Sequence, residues 1–388
     1  MRVLLLQDHA ETGGAARAAG RFASGLRQRG VEVAVAAGDQ GAGKGHFLVT
    51  GKPKRGWGRV RELWQGKARN LESRRDRAQR GWKKAIQEFQ PDLIWIHNLQ
   101  GAFKWGWSLG LVEQALASAS LLWTLHDMWA LGDGPSYFPE EELPRRRDRS
   151  PLAQLRSSMS QRRCTLLAPS VWLRDLVRSS GLGRCEAWPN PLDIGIFQPE
   201  SRAKTRQELG LGEDEVLLMA AAENLADPRK GIDCLAAAWP SWSKPKTTRL
   251  GLMGRNCPGE LKKDPNVLAF GPVTSEVRVA ELMAAADLFV HPAKVESYGL
   301  VLEEAQACGT PVLAAKAGGV GETFVEGLTG WSMETTGPEA LARQLNDLLA
   351  RPEQLRAMRT AAREAMERKH RLEAFEARWD EIRGILGR

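Results

Sequence analysis

Two α/β domains, each built on a parallel sheet, are what this sequence predicts, and three observations predict them. The chain has 388 residues, too many for one ordinary core and suited to two domains. Short apolar runs alternate with helix-length segments in the first half, the pattern of βαβ units. The second half repeats that scheme independently, without repeating the sequence.

In the first half, Val3–Gln7 reads as a strand, Thr12-Gly13-Gly14-Ala15-Ala16 as a Gly-rich turn, and 17–29 as a helix stopped by Gly30. Further strands are expected at 31–36, 93–97, 121–126 and 166–169. In the second half they are expected at 216–222, 250–254, 267–271, 288–291 and 311–315. Prolines at Pro189-Asn190-Pro191 and Pro199 interrupt regular structure and mark the seam. The resulting division is residues 1–195, 196–370 and a terminal amphipathic helix, 371–388, placed to pack back on the first domain; its apolar residues Phe375, Trp379, Ile382 and Ile385 recur at helical spacing. In open α/β sheets ligands bind beyond the carboxyl ends of the strands, so the loops that follow strands are where chemistry is expected.

Composition narrows the classes. Hydrophobic residues make up 43% and charged residues 26%, which excludes a disordered chain. No apolar run approaches the roughly 20 residues that span a bilayer. Five scattered cysteines without a C-x-x-C pair suit a reducing cytoplasm better than zinc or redox chemistry. The formal net charge is +8, concentrated in two stretches. One runs from Lys52 to Lys84 with Trp57, Trp64 and Trp82 among its cations, and the other holds Arg145, Arg146, Arg147, Arg149, Arg156, Arg162 and Arg163. A solvated helix face explains such runs, and so does attraction to an anionic membrane surface or a phosphate-bearing acceptor. No nucleic-acid recognition motif accompanies the charge, which argues against that class of partner.

The segment from His291 to Gly309 carries the strongest chemical signal. A strand ends near His291, a loop presents Glu296 and Ser297, and a helix begins near Gly299 and ends at Cys308 with Gly309 as its cap. Unsatisfied N–H groups at Gly299, Leu300 and Val301, together with the helix dipole, make a site for a diphosphate, and glycine there lets phosphate approach the backbone. Glu304 lies one turn into the helix on the side of Leu300, where a carboxylate accepts from ribose hydroxyls, while Glu296 approaches the other end of the ligand. Upstream, Asp227-Pro228-Arg229-Lys230-Gly231 supplies a compact ammonium suited to a diphosphate. In the first half, Gly13-Gly14 follows the first strand. From the glycines alone this is a plain turn, and the absence of G-x-G-x-x-G speaks against a dinucleotide dehydrogenase. His97 and Asn98 follow one strand, and His126 and Asp127 follow another in Thr124-Leu125-His126-Asp127-Met128-Trp129. Neither Asp-x-Asp nor His-Glu-x-x-His occurs, so no metal ligands are assigned.

The Glu296-x7-Glu304 spacing encloses Ser-Tyr-Gly-Leu. Ala-Cys-Gly-Thr-Pro-Val follows it, then Gly318-Gly319-Val320-Gly321-Glu322 and Gly327-Leu328-Thr329-Gly330. Taken in order with the Lys230-Gly231 loop, these segments resemble glycosyltransferase family 4, and the His126-Asp127 segment resembles members that build bacterial surface polysaccharide. The resemblance spans nearly the whole chain. It implies a GT-B fold, two Rossmann-like domains facing across a cleft, and sugar transfer with retention of configuration. The donor would be a nucleoside-diphospho-sugar and the acceptor a glycan, a lipid-linked group or a small molecule. It implies Glu296, His126 and Lys230 at the reaction centre, and Glu304, Arg229, Ser297, Tyr298, Gly299, Leu300 and Gly14 on the donor. Gly13, His97, Asn98 and Asp127 would lie toward the acceptor. No cofactor or metal is implied, and the location is cytoplasmic or peripheral on the cytoplasmic membrane face. The family usually places an arginine about five residues before the lysine; here Leu225 stands there, leaving Arg229 or Arg255 as substitutes. An inactive GT-B scaffold that binds glycans or protein partners, a phosphorylase and a nucleotide-sugar epimerase are the alternative readings.

Overall fold

A computed structural model describes the chain except residues 11–12, 40–44, 52–66, 133, 151–152, 156–158, 160–163, 334–336 and 387–388. Much of the first basic stretch, with Trp57 and Trp64, and Arg156, Arg162 and Arg163 of the second, lie outside the described residues. Contacts divide the chain into two units, Met1–Pro191 with Glu376–Arg388, and Leu192–Phe375. The sequence reading sets the seam four residues later, at 195, and the return to the first unit falls within the last helix.

Among the described residues the first unit carries seven strands: β1 (Arg2–Gln7), β2 (Glu32–Ala37), β3 (His46–Leu48), β4 (Leu93–Ile96), β5 (Ser120–Thr124), β6 (Cys164–Ala168) and β7 (Cys185–Ala187). They lie in the order β3-β2-β1-β4-β5-β6-β7, and every pairing is parallel. Val3 to Leu6 of β1 are fully buried, as a central strand covered on both faces requires. The helix after β1 spans Gly14–Gln28, three residues earlier than the sequence suggests. Gly13, at φ 96°, caps it by accepting from the Arg17 N–H at 3.0 Å, so the Gly-rich turn is shorter than it reads.

The last helix, Leu372–Leu386, buries Trp379 and Ile382. The Trp379 ring lies 6° from parallel to Trp95 of β4, with centroids 6.2 Å apart. Trp95 in turn lies against Trp188 and against His97, one residue beyond the strand. A buried file of aromatic rings therefore runs from this helix to the carboxyl end of β4.

Among its described residues the second unit carries six strands: β8 (Val216–Asn224), β9 (Thr248–Arg255), β10 (Val267–Gly271), β11 (Leu288–His291), β12 (Val312–Ala314) and β13 (Gly330–Ser332). Their order is β10-β9-β8-β11-β12-β13, again parallel throughout. Successive residues of a strand point to opposite faces, and two cores result. Leu217, Met219, Phe289 and Val312 face one; Leu218, Ala220, Leu288 and Leu313 face the other. The three-residue strands β3, β7 and β13 are not among the strands read from the sequence, whereas the equally short but wholly buried β12 is.

A guanidinium cluster closes the end of the helix Glu276–Ala285. Arg202, Arg206 and Arg359 donate to the carbonyls of Ala284, Ala285 and Ala286, and Asp287 accepts from Arg202 at 2.5 Å and Arg206 at 3.0 Å. Cations at a helix carboxyl end satisfy its orphan carbonyls and complement its dipole. Burial and the neighbouring Arg202 bring the Arg359 guanidinium down to about 10.

In each sheet the winding direction reverses at one place, between β1 and β4 and between β8 and β11. Loops leaving the carboxyl ends of strands at such a switch diverge and open a crevice for ligands.

Candidate functional site

The residues singled out from the sequence follow strands at or beside the two switch points. In the second unit, the loop after β8 delivers Lys230 and the loop after β11 delivers Glu296. Asp227 starts a one-turn helix, Pro228–Lys230, by accepting from the Arg229 N–H at 3.0 Å. Gly231 ends that turn at φ 68°, and a Cβ there would stand 1.8 Å from the Pro292 carbonyl oxygen. Only glycine allows both the left-handed backbone and that approach. The Lys294 N–H also donates to the Arg229 carbonyl at 2.7 Å, so the two loops are tied through their backbones. The outcome is an ion pair and hydrogen bond between Lys230 Nζ and Glu296 Oε2.

Burial raises the Glu296 carboxyl, but the Lys230 ammonium, His291 and the Ser297 N–H outweigh it and leave the group below its ordinary value. His291, at the end of β11, is pushed down to about 4 by burial, with Lys230 adding to the fall and Glu296 opposing it. Ser297 is buried, and its N–H donates to Glu296 Oε1 at 3.2 Å. Gly299, at φ 92°, caps the helix Leu300–Ala307 and itself offers no side-chain acceptor to the first N–H groups. Cys308 is the carboxyl cap and Gly309 follows at φ 71°, one position later than the cap role read from the sequence. Glu304 is buried in the first half of this helix.

The Tyr298 side chain turns inward: the residue is 2% exposed and its hydroxyl donates to Glu303 Oε1 at 2.5 Å. Glu303 is fully buried and also holds Lys369 at 2.5 Å and His370 at 3.1 Å. Burial alone would raise its carboxyl, yet those two side chains hold it at about 2. This network fixes the loop from behind and escaped the sequence reading, because its members lie 67 residues apart. Arg229 is paired within its own turn. Its Nε and one terminal nitrogen bind the Asp227 carboxylate at 3.1 and 2.6 Å. Arg255 pairs with Glu223 at 2.9 Å, and Leu225 is buried in the core with Ile232 and Trp239.

In the first unit, His97 leaves β4 and His126 follows β5. His97 Nδ1 lies 3.0 Å from His126 Nε2. Burial drives both rings below the ordinary histidine value, His97 far below and His126 to about 4. Asp127 accepts from the Trp129 N–H at 2.9 Å and from Gln100 Nε2 at 2.7 Å. Asn98 is partly exposed beside His97. At Gly14 neither a positive φ nor a neighbouring atom calls for glycine, since a Cβ there would meet nothing within 4 Å. Ser170 is structural: its hydroxyl accepts from the Leu173 N–H at 3.1 Å and caps the helix Val171–Ser179. Among the described residues no group of three or more His, Cys, Asp or Glu stands together as a metal site, and no helix is long and apolar enough to cross a membrane.

Comparison with known proteins matches both halves. Residues 12–195 fit the family described as Glycosyltransferase Family 4, and residues 201–365 the family described as Glycosyl transferases group 1. A D-inositol 3-phosphate glycosyltransferase of Segniliparus rotundus is 35% identical over 44% of this chain and 40% of its own length. A GDP-mannose-dependent alpha-(1-6)-phosphatidylinositol monomannoside mannosyltransferase of Mycolicibacterium smegmatis is 33% identical over 46% of this chain and 50% of its own. The match thus spans half or less of these relatives. Among solved structures, sucrose-phosphate synthase from Thermosynechococcus elongatus superposes with a TM-score of 0.77 at 21% identity, covering 99% of this chain and 98% of that one. Anabaena HepE in complex with UDP and glucose superposes at 0.73 and 21%, covering 98% of each. At that identity the likeness establishes the fold.

The neutral, buried histidines carry a testable sign. His97, His126 and His291 have folded values below the unfolded 6.5, so the unfolded chain takes up protons that the folded chain refuses. Stability is therefore full above pH 6.5 and is lost as pH falls toward 4, by up to about 1.4 kcal/mol per histidine per pH unit. Urea midpoints measured at pH 7.5 and pH 5 should drop on acidification; a constant midpoint would contradict neutral burial.

Proposed function

Since the chain belongs to glycosyltransferase family 4 and has the GT-B fold, we propose that it transfers a sugar from a nucleoside-diphospho-sugar to an acceptor hydroxyl with retention of anomeric configuration. The observation that carries this reading is the Lys230–Glu296 pair set beside the free amino end of the helix Leu300–Ala307. A diphosphate at that end meets the N–H groups of Leu300 and Val301 and the helix dipole. Lys230 lies close enough to the same carboxylate-bearing loop to serve the phosphate and Glu296 together.

The chemistry asked of these groups is mostly electrostatic. As the glycosidic bond to phosphate breaks, negative charge grows on the leaving diphosphate and positive charge on the anomeric carbon. Lys230 and the helix end stabilise the first, Glu296 the second. Leaving-group charge is thereby met without a metal ion, and no protein nucleophile is assigned. The acceptor proton passes to a donor phosphate oxygen. Glu304 accepts from the ribose of the donor. Gly14, which no protein neighbour requires, leaves room for a ligand to pass the start of its helix.

The acceptor belongs to polysaccharide or other glycan assembly in this reading. The relatives named for inositol phosphate and phosphatidylinositol mannoside make an anionic acceptor the first to try. The basic stretch between Lys52 and Lys84 matches such an acceptor, or an anionic membrane that carries it, in charge. Reversing the charge of the arginines between Arg59 and Arg80 should abolish sedimentation with phosphatidylglycerol vesicles. Wild-type protein that stays in the supernatant rules the membrane contact out.

Substitution separates a catalyst from a binding scaffold. Glu296→Gln should cut kcat by about 10²-fold while donor binding changes little, because the carboxylate acts on charge that develops in the transition state. Equal losses in both would remove that role. Lys230→Ala should abolish hydrolysis of the donor that the wild type turns over; wild-type protein inert toward every nucleoside-diphospho-sugar favours the scaffold.

A further inference from the structure

The two imidazoles of the first unit share one proton, and their surroundings decide which ring holds it. The His97 and His126 planes lie within 21° of each other with centroids 5.3 Å apart. With the two nitrogens 3.0 Å apart, this is the spacing of rings joined edge to edge through an in-plane N–H···N bond rather than stacked face to face. Phe22 and Trp95 lie against His97, and Trp95 is backed by Trp379 of the last helix, so the ring is held on several sides.

Both rings are neutral near pH 7, burial having lowered each. Each neutral ring carries one N–H, and two arrangements satisfy the bond. In the first, His97 Nδ1–H donates to His126 Nε2, His126 carries its own proton on Nδ1, and His97 Nε2 is a bare lone pair. In the second, His126 Nε2–H donates to His97 Nδ1, and His97 must carry its proton on Nε2. His97 is 1% exposed, and its Nε2 has no hydrogen-bond partner among the described residues. The second arrangement therefore buries an N–H with nothing to receive it; the first leaves only an unused acceptor. Orphaned buried N–H groups are the rarer and costlier of the two.

We propose that His97 is a positioning residue that locks His126 as its Nδ1–H tautomer, so that His126 meets its ligand as a hydrogen-bond donor and not as a proton acceptor. His126 Nε2 is engaged by His97, and whatever lies against Nδ1 faces an N–H. A sugar hydroxyl oxygen is the acceptor that fits. This deepens the glycosyltransferase reading and rests on it: a histidine that cannot take the acceptor proton leaves that proton to the donor phosphate. The tautomer itself does not depend on the reaction.

The test is a long-range ¹H–¹⁵N correlation spectrum of the full chain at pH 7.5, labelled with ¹⁵N only in its six histidines. Signals are assigned by His97→Phe and His126→Gln. The lock requires that both His97 and His126 show a protonated Nδ1 and a bare Nε2, opposite to the Nε2–H form that free histidine favours. A protonated Nε2 on either ring, or an imidazolium, overturns it.

His97→Phe removes the donor and should return His126 to Nε2–H. His97→Asn places an amide N–H where Nδ1 stood and should restore Nδ1–H. With a donor and acceptor in hand, the Phe variant should lose at least tenfold in kcat with the donor dissociation constant unchanged, and the Asn variant should recover most of it. If the spectrum shows both Nδ1–H rings but no transfer occurs with any donor, the function fails and the tautomer stands. If transfer occurs and the rings are Nε2–H, the tautomer fails and the function stands.

Discussion

The ion pair between Lys230 and Glu296 is the contact on which the proposed donor site depends. It joins the loops that leave β8 and β11, the two strands between which the second sheet reverses its winding. Such a pair needs both loops held close, and the backbone does this first. Gly231 lets the turn press against Pro292, and the Lys294 N–H closes onto Arg229. The side chains are 27% and 14% exposed, enough for the charges to keep some water but little enough that either alone would be costly. From this follows the depressed carboxyl of Glu296, while burial keeps His291 beside it neutral. Behind the loop, the Tyr298–Glu303–Lys369–His370 network fixes the start of the helix Leu300–Ala307.

The two units approach chemistry by different means. The second concentrates charge: an ammonium, a carboxylate and a helix end. The first removes it, burying two imidazoles until neither is protonated at neutral pH and leaving a hydrogen bond where a charge could have been. Leu225 sharpens the contrast within the second unit. An apolar side chain packs in the core where the family usually carries a cation, and the arginines on neighbouring loops are occupied by Asp227 and Glu223. In the proposed donor site, Lys230 and the helix end are therefore the groups assigned to the charge of a diphosphate.

Much of this was legible in the sequence, for identifiable reasons. Short, continuous apolar runs at β1, β8 and β11 are buried in the sheets, so pattern alone located them, and the order of motifs from Lys230 to Gly330 named the family. Of the three-residue strands, β12 is apolar and buried throughout and was located, while β3 and β13 are only partly buried and offer no such run. The position of Gly299 at a helix start was readable because glycine, a strand and a helical run adjoin. What Tyr298 does was not, since its partner Glu303 is a charged residue in an otherwise apolar helix face whose counter-ions lie far along the chain. Asp227 also defeated a sequence argument. Its proximity to Arg229 was visible, but that the carboxylate takes the guanidinium at two points follows only from the turn geometry. The His97–His126 bond joins the ends of neighbouring parallel strands, and that adjacency comes from the strand order.

The claim that this ion pair and helix end form a diphosphate site is tested most directly by isothermal titration of UDP, GDP and ADP into wild-type and Lys230→Ala protein with EDTA present. One diphosphate should bind the wild type without metal and bind the variant at least tenfold more weakly, with circular dichroism showing both folded. Absence of binding by all three to folded wild type, or equal affinity for the two proteins, would contradict it.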